Sequence, residues 1–241
     1  MNVVIGGASG IGAATVPLLA GETIVADRAG ADVVCDITDR GSIERLAEGV
    51  DRLDALVLTA GVSPVQAGAR TILDVDLAGA ARVLDIFGRL VGPGSVAVVV
   101  ASMAAHLVAG HLSDDVLSAI DDPLSERALA ASDDPGFAYA IAKVGVQRLV
   151  RRTALEWGPR GGRCVSVSPG VIATPMGLAE MESGLGASDL MRLGVFGRPG
   201  RPDEIAAVIA FVCTPAASFL TGTDVLVDGG VVAAVERAGR P

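Results

Sequence analysis

Short apolar runs rich in Val and Ile recur along the chain, each closed off by glycine, aspartate, serine or threonine: Val3–Ile5, Thr23–Ala26, Val33–Cys35, Ala55–Leu58, Val96–Ala101, Cys164–Val167 and Val225–Val227. Runs of this length with little polar alternation predict strands covered on both faces. Between most of them the apolar positions change to the three-and-four spacing of amphipathic helices, as in SIERLAEGV and TILDVDLAGAARVLDIFGRLV. Strand and helix in alternation predict an α/β fold with a parallel sheet of about seven strands and helices on both faces. With no internal repeat, low-complexity tract or linker, residues 1–241 are expected to form a single domain. Only Arg28 to Ala31 separate the second run from the third, too few for a crossover helix, so the third strand is expected to be short and its connection irregular.

One stretch breaks this alternation. His106 to Gly136 is cut by paired aspartates and ended by Pro-Gly. Ser113 before Asp114-Asp115, with Val116, Leu117 and Ile120 apolar, predicts a capped short helix; Asp122-Pro123, followed by Leu124, Ala128 and Leu129, predicts the start of a second. Both are amphipathic, so an insert at about 106–136 is expected to dock as a helical pair and to roof one wall of a ligand cleft.

Charge and composition narrow the ligands. The formal net charge of -9 and 3% aromatics argue against nucleic-acid or anionic-membrane partners, since neutralising phosphates needs a basic face. Cys35, Cys164 and Cys213 are widely spaced, which suggests neither disulfides nor a zinc site and fits a reducing cytoplasm. The opening MNVVIGG has no basic region ahead of its short apolar run, so no secretory leader is expected. Val91 to Gly110 contains GPG and His106, so it reads as strand plus loop, and no membrane span is expected. His106 and His111 are off a common helix face, so no metal site is expected; Arg148, Arg151 and Arg152 read as a solvated helix face, and Trp157 as a core or interface anchor.

Two stretches carry candidate chemistry. VVIGGASGIGAATVPLL is a strand, a glycine turn and an amphipathic helix, in which Gly6, Gly10 and Gly12 would let the backbone approach a pyrophosphate at a helix N-terminus. Asp27 closes TIVAD fifteen residues after Gly12; a carboxylate there can accept both ribose hydroxyls and repels a 2′-phosphate, favouring NAD over NADP. Ser9, neutral where a basic residue would favour NADP, points the same way; a turn cap is the plainer role for Asp27, and Arg28 beside it is a candidate phosphate ligand.

In FAYAIAK the chain's only tyrosine, Tyr139, stands four residues before its only lysine, Lys143, on one helix face. Every other basic side chain of the Lys/Arg class is arginine. A phenol must be brought down from a pKa of about 10 to exchange protons near neutrality, and a compact ammonium can do that where a guanidinium serves poorly. Ser102 ends the apolar run VAVVVAS, where α/β sheets bind ligands, and can donate to a substrate oxygen; its plainer role is a helix cap.

Together GGASGIG, TAG at Thr59–Gly61, SMAA, YAIAK, PGVIATPM and the terminal VDGG resemble the short-chain dehydrogenase/reductase family over essentially the whole chain. The resemblance implies a Rossmann-type doubly wound fold and hydride transfer between NAD(P) and an alcohol/carbonyl pair. It implies Ser102, Tyr139 and Lys143 as catalytic residues and a cofactor site of Gly6, Ser9, Gly10, Ile11, Gly12, Asp27, Asp36, Ile37, Ala60, Gly61, Tyr139, Lys143, Ile172 and Thr174. Asp36 and Ile37 would flank adenine, and Ile172 and Thr174 would hold the carboxamide and pyrophosphate. Two positions depart from the family: Ile5 replaces the threonine that opens the glycine motif, and Asp76, a candidate fourth catalytic residue, replaces the catalytic asparagine; its carboxylate could still orient a relay water, and its charge would alter the lysine's pKa. The long separation of Ser102 from Tyr139 and the short link after Asp27 are similar to the bacterial 3α-hydroxysteroid dehydrogenase/carbonyl reductase branch.

That branch implies a hydroxysteroid or similar apolar carbonyl substrate, and Met176 to Phe196, rich in Leu and Met, could cover it; packing against the sheet is the plainer role for those side chains. Terpenoid or xenobiotic alcohols are an alternative substrate class, and a non-catalytic NAD sensor is the alternative outside enzymes. In the family the Tyr139 helix pairs with its copy in another subunit; a folded insert beside it would obstruct that contact, so a homodimer through another face is expected.

Overall fold

The computed structural model describes residues 1–239. Its strands coincide with the apolar runs: β1 (Asn2–Ile5), β2 (Thr23–Asp27), β3 (Val33–Val34), β4 (Ala55–Leu58), β5 (Val96–Val100), β6 (Arg163–Pro169) and β7 (Thr223–Val227). They form one seven-stranded sheet, ordered β3-β2-β1-β4-β5-β6-β7, in which every neighbouring pair is parallel. β3 is two residues long, the consequence of a link too short for a helix. The strand order reverses between β1 and β4, and at such a switch point the loops leaving the carboxyl ends diverge and open a crevice.

After β1 comes α1 (Gly10–Thr15), after β3 α2 (Arg40–Glu48), and after β4 α3 (Ala69–Ile72) and α4 (Ala80–Phe87). β5 leads into α5 (Met103–Val108), then α6 (Asp114–Ile120), α7 (Glu126–Leu129) and the 23-residue α8 (Pro135–Trp157). α9 (Pro175–Glu182), α10 (Ala187–Leu193) and α11 (Pro202–Val212) follow β6, and α12 (Val231–Arg237) follows β7. Successive strand residues point to opposite faces, and the core divides accordingly. Val3, Ile5, Leu56, Leu58, Ala97 and Val99 pack with Ile43, Phe87, Val150 and Trp157 of α2, α4 and α8. Val4, Val57, Val98 and Val165 pack on the other face with Ile205 and Ile209 of α11, and Ile11 of α1 joins them. Among the described residues no helix is long and apolar enough to cross a membrane.

Three expectations change in detail. The continuous helix read across 71–91 is interrupted by a π-helical turn at Leu73–Gly79 between α3 and α4, a widened form often found near functional sites. In the insert, Ser113 caps α6 by accepting from the Val116 amide at 3.4 Å, but the second helix does not start at Pro123. Asp122 and Pro123 lie in a turn, and α7 starts after Ser125, whose hydroxyl accepts from the Ala128 amide at 3.1 Å; an N-cap oxygen satisfies an orphan donor, which a proline at N1 alone does not. Arg148 and Arg152 do not form a free solvated face. Both guanidinium groups hold Asp121 at the end of α6, Arg148 Nε at 2.7 Å from its Oδ1 and Arg152 on its carbonyl. Ile120 and Leu129 meanwhile enter a cluster with Ile72, Leu73, Leu77 and Ile141. The insert is thus a docked helical pair.

Candidate active site

The glycine turn fits so closely that side chains have no room. Gly6 has φ +90, and a Cβ there would stand 2.3 Å from the Ala60 nitrogen; one on Gly12 would stand 2.2 Å from the Gly6 carbonyl oxygen. The Thr59 hydroxyl donates to that carbonyl at 3.0 Å, tying the turn after β1 to the end of β4. Across the crevice stands Thr174, whose Cγ2 would lie 3.2 Å from a Cβ on Gly10 and whose hydroxyl caps α9 by accepting from the Gly177 amide at 3.1 Å. Ile172, beside it, is buried. Ser9 occupies the extended N-cap position of α1 without a side-chain cap bond.

Asp27 has both of the roles weighed for it. Its oxygens accept from the Ala8 amide at 3.1 Å and the Arg28 amide at 2.7 Å, and the side chain also lines the crevice. Asp36 is fixed by the Thr38 amide at 2.8 Å and hydroxyl at 2.7 Å, and the amide bond foremost holds its carboxyl below the usual carboxylate range. Ile37 is buried against Gly79.

At the other end of the crevice Tyr139 and Lys143 project from adjacent turns of α8, which Asp134 caps and Pro135 begins. Ser102 follows β5 and caps α5, accepting from the Ala104 amide at 3.2 Å, so its capping does not remove it from the crevice. The Lys143 ammonium lies 5.3 Å from the Tyr139 ring centre, 3.4 Å from the Val100 carbonyl oxygen and 3.0 Å from Asp76 Oδ2. Asp76 comes from the π-helical turn, and its Oδ1 accepts from the Val62 amide at 2.8 Å. Oδ2 has the ammonium as a charge partner without an aligned hydrogen bond.

Burial dominates the electrostatics here. It pushes the Tyr139 phenol above its ordinary pKa; Lys143 opposes the shift, while Asp76 and Glu180 reinforce it. Burial pulls Lys143 down, but the Asp76 carboxylate and Tyr139 outweigh it and hold the ammonium charged. Burial likewise raises Asp76, against the pull of Lys143. The phenol is therefore a proton donor in this state, beside an ammonium already engaged by a carboxylate.

Every site residue expected from the sequence lines one cleft of about 580 Å³, together with Thr38, Gln66, Arg70, Thr71 and Glu180, which sequence reasoning did not single out. In the apolar segment following Thr174, Met181, Leu190 and Met191 pack with Met103, Val171 and the Val residues of α12, Leu178, Leu185, Leu193, Val195 and Phe196 are exposed, and Met176, Gly177 and Glu180 line the cleft. The insert does not roof the cleft, because its apolar face is spent on α8 and the π-helical turn. It reaches only the rim, where Glu126 pairs with Arg70 at 2.9 Å. His106, set aside above, joins a polar network behind α5, with Nε2 at 2.7 Å from Asp224 Oδ2 and 3.1 Å from Gln147 Nε2. Among the described residues no cluster of His, Cys, Asp or Glu is arranged to hold a metal ion.

Comparison with known proteins gives the same assignment. The NAD dependent epimerase/dehydratase family model matches residues 2–169, and the enoyl-(acyl carrier protein) reductase model matches residues 124–232. The chain is 34% identical over 213 residues to the short-chain dehydrogenase/reductase bsc3 of Alternaria brassicicola, covering 84% of this chain and 78% of that one. The chain belongs to the short-chain dehydrogenase/reductase family. This short-chain dehydrogenase/reductase is also 33% identical to the 3-alpha-hydroxysteroid dehydrogenase/carbonyl reductase of Comamonas testosteroni over 95% of both chains. Its fold matches that of the 3-alpha-hydroxysteroid dehydrogenase from Pseudomonas sp. B-0831, solved with NADH, with a TM-score of 0.85 and 30% identity over 98% of each chain. As a member of the family it is an oxidoreductase of alcohols and carbonyl compounds that uses a nicotinamide cofactor.

Proposed function

We propose that the protein is an NAD(H)-dependent dehydrogenase/reductase that interconverts a secondary alcohol and its ketone, a hydroxysteroid or a similar apolar carbonyl compound, in the cytoplasm and as a homodimer of single-domain subunits. The observation that carries this reading is the convergence of Ser102, Tyr139 and Lys143 in the cleft that begins at the glycine turn. A dinucleotide fits the residues present: Gly6 and Gly12 let the turn close on Ala60 and Thr59 more tightly than any side chain would permit, Gly10 borders the cleft, and Asp27 lines it at the end of β2 where a ribose would lie.

Each residue then has a role set by its chemistry. Bound nicotinamide supplies or accepts the hydride. The Ser102 hydroxyl donates a hydrogen bond to the substrate oxygen and orients it toward Tyr139. The Tyr139 phenol gives its proton to that oxygen in reduction and, as phenolate, takes it back in oxidation. Lys143 would hold the nicotinamide ribose, and it opposes the burial that keeps the phenol protonated. Asp76 in turn holds Lys143 charged. The Asp27 carboxylate accepts ribose hydroxyls and repels a 2′-phosphate, and Ser9 offers such a phosphate no charge, which favours NAD. The similarity to 3-alpha-hydroxysteroid dehydrogenases supports the substrate class. A panel of hydroxysteroids, terpenoid alcohols and their ketones, followed by NADH absorbance with both nucleotides, tests the assignment. Turnover of hydroxysteroids with NAD is expected; absence of turnover of any carbinol or ketone would overturn it.

A further inference from the structure

Glu180 takes no part in the chemistry above, yet it stands in the same cleft. It lies six residues beyond Thr174 on α9 and lines the cavity with Ser102, Tyr139, Lys143 and Gln66. Other carboxylates near this cleft are matched: Asp74 with Arg82 at 2.9 Å, Glu126 with Arg70 at 2.9 Å, and Asp76 with Lys143 at 3.0 Å. Among the described residues neither a hydrogen-bond donor nor a paired cation reaches the Glu180 carboxyl; the residue's side-chain partner, the Ser183 hydroxyl, bonds its backbone carbonyl at 2.7 Å. Lys143 pairs with Asp76 and acts on Glu180 only at longer range.

The carboxyl is also partly withdrawn from water. Burial raises its pKa, Lys143 at longer range opposes that, and Asp76 adds to it. The carboxyl oxygens remain open to the cleft, so a ligand that closes over them must bring a donor or leave an acceptor unpaired. The cleft is also short of positive charge at this end: one ammonium faces two carboxyl groups.

We infer that Glu180 is a specificity-determining residue whose carboxylate accepts a hydrogen bond from a second donor, a hydroxyl or an ammonium, carried by the substrate close to the reacting carbinol, and that it disfavours substrates placing a carboxylate there. The inference rests on the function proposed above, because the reacting carbinol is the one held by Ser102 and Tyr139. Within the proposed class it favours alcohols or ketones that carry a donor beside the reacting carbon.

The test uses four compounds on one ring: cyclohexanol, trans-1,2-cyclohexanediol, trans-2-aminocyclohexanol and 2-hydroxycyclohexanecarboxylate. Each is assayed for kcat/KM with the full-length wild type, Glu180→Leu and Glu180→Gln, after NADH fluorescence titration has verified that the variants are folded. In the wild type the diol or the amino alcohol is expected to exceed the monol by about tenfold, a modest value for a site built to bond a substrate donor. Which of the two leads distinguishes hydroxyl from ammonium. Glu180→Leu should bring the preferred compound to within about twofold of the monol. Glu180→Gln should keep part of a diol preference, lose any ammonium preference, and raise the hydroxy acid by about tenfold as charge repulsion is removed. A donor-to-monol ratio equal in wild type and Glu180→Leu overturns the inference while leaving the proposed function standing. Absence of turnover of every carbinol overturns the proposed function instead. Selectivity is then read from binding of the four compounds to the enzyme–NADH complex, and equal discrimination by wild type and Glu180→Leu there overturns the inference.

Discussion

Replacing Asp76 by asparagine exchanges one carboxylate oxygen for an amide group and removes a negative charge from a dry site, while an acceptor for the Val62 amide remains. The side chain is completely buried, and its partner Lys143 nearly so. With the ammonium 3.0 Å from Asp76 and 5.3 Å from the centre of the Tyr139 ring, the carboxylate lies within about 8 Å of that ring. At that distance and an effective dielectric constant of about 20, one unit charge contributes about 2 kcal/mol, or roughly 1.5 pKa units. Water at the cleft mouth screens part of this, so a shift of about one unit is expected. The sign follows from the charges: the carboxylate disfavours phenolate, so its removal lowers the Tyr139 pKa. Alcohol oxidation needs the phenolate and rises with pH through that pKa; its rising limb should therefore move about one unit toward neutrality. Ketone reduction needs the protonated phenol, so its falling limb should move in the same direction. Initial rates measured by NADH absorbance across the pH range give both profiles for wild type and Asp76→Asn. If neither limb moves, the Asp76 charge is not felt at the phenol and the reasoning fails.

Tyr139→Phe should bind NADH nearly as the wild type does, by fluorescence titration, and lose at least ~100-fold in turnover, the usual contribution of a positioned acid or base; retained turnover would remove the phenol from the mechanism. Kinetic efficiency should favour NAD over NADP, and Asp27→Ala should narrow that preference by removing the charge that repels the phosphate. Equal wild-type efficiencies would instead make Arg28 a phosphate ligand. Light scattering of the native protein should return a homodimer, since α6 is bound to α8 through Arg148 and Arg152; a tetramer joined through α8 would contradict this.

The strands were legible because each is a Val/Ile run between turn residues, and a parallel strand covered on both faces leaves that record in the chain. Tyr139 and Lys143 were legible because each is the single residue of its type. Asp76 could be named by family resemblance, but its contact with Lys143 depends on a π-helical turn that hydrophobic spacing does not encode. Arg148 and Arg152 share a helix face, and spacing alone does not say that Asp121 covers it. The start of α7 was misplaced because Pro123 is a strong positional signal, whereas Ser125 wins only when its hydroxyl meets the Ala128 amide. Glu180 was hidden among Leu and Met in a segment read for its apolar side chains. The commitment of Met181, Leu190 and Met191 to α12 is long-range packing, which one-dimensional patterning does not report.

The widened turn at Leu73–Gly79 also acts as a phase adjuster between α3 and α4. An α-helix turns by about 100° per residue, so the residue accommodated by a π turn lets the segments on either side keep separate rotational settings on one axis. α3 and the turn keep Ile72, Leu73 and Leu77 toward α8 and the insert, and α4 keeps Val83, Leu84 and Phe87 toward the sheet-side core. Wound as an α-helix, the same seven residues would swing one flank by roughly a quarter-turn relative to the other. Asp76 would leave Lys143, or α4 would lose its core face. The rotational setting of α3 against α4 is therefore fixed by the width of this turn as well as by the residues on either side of it.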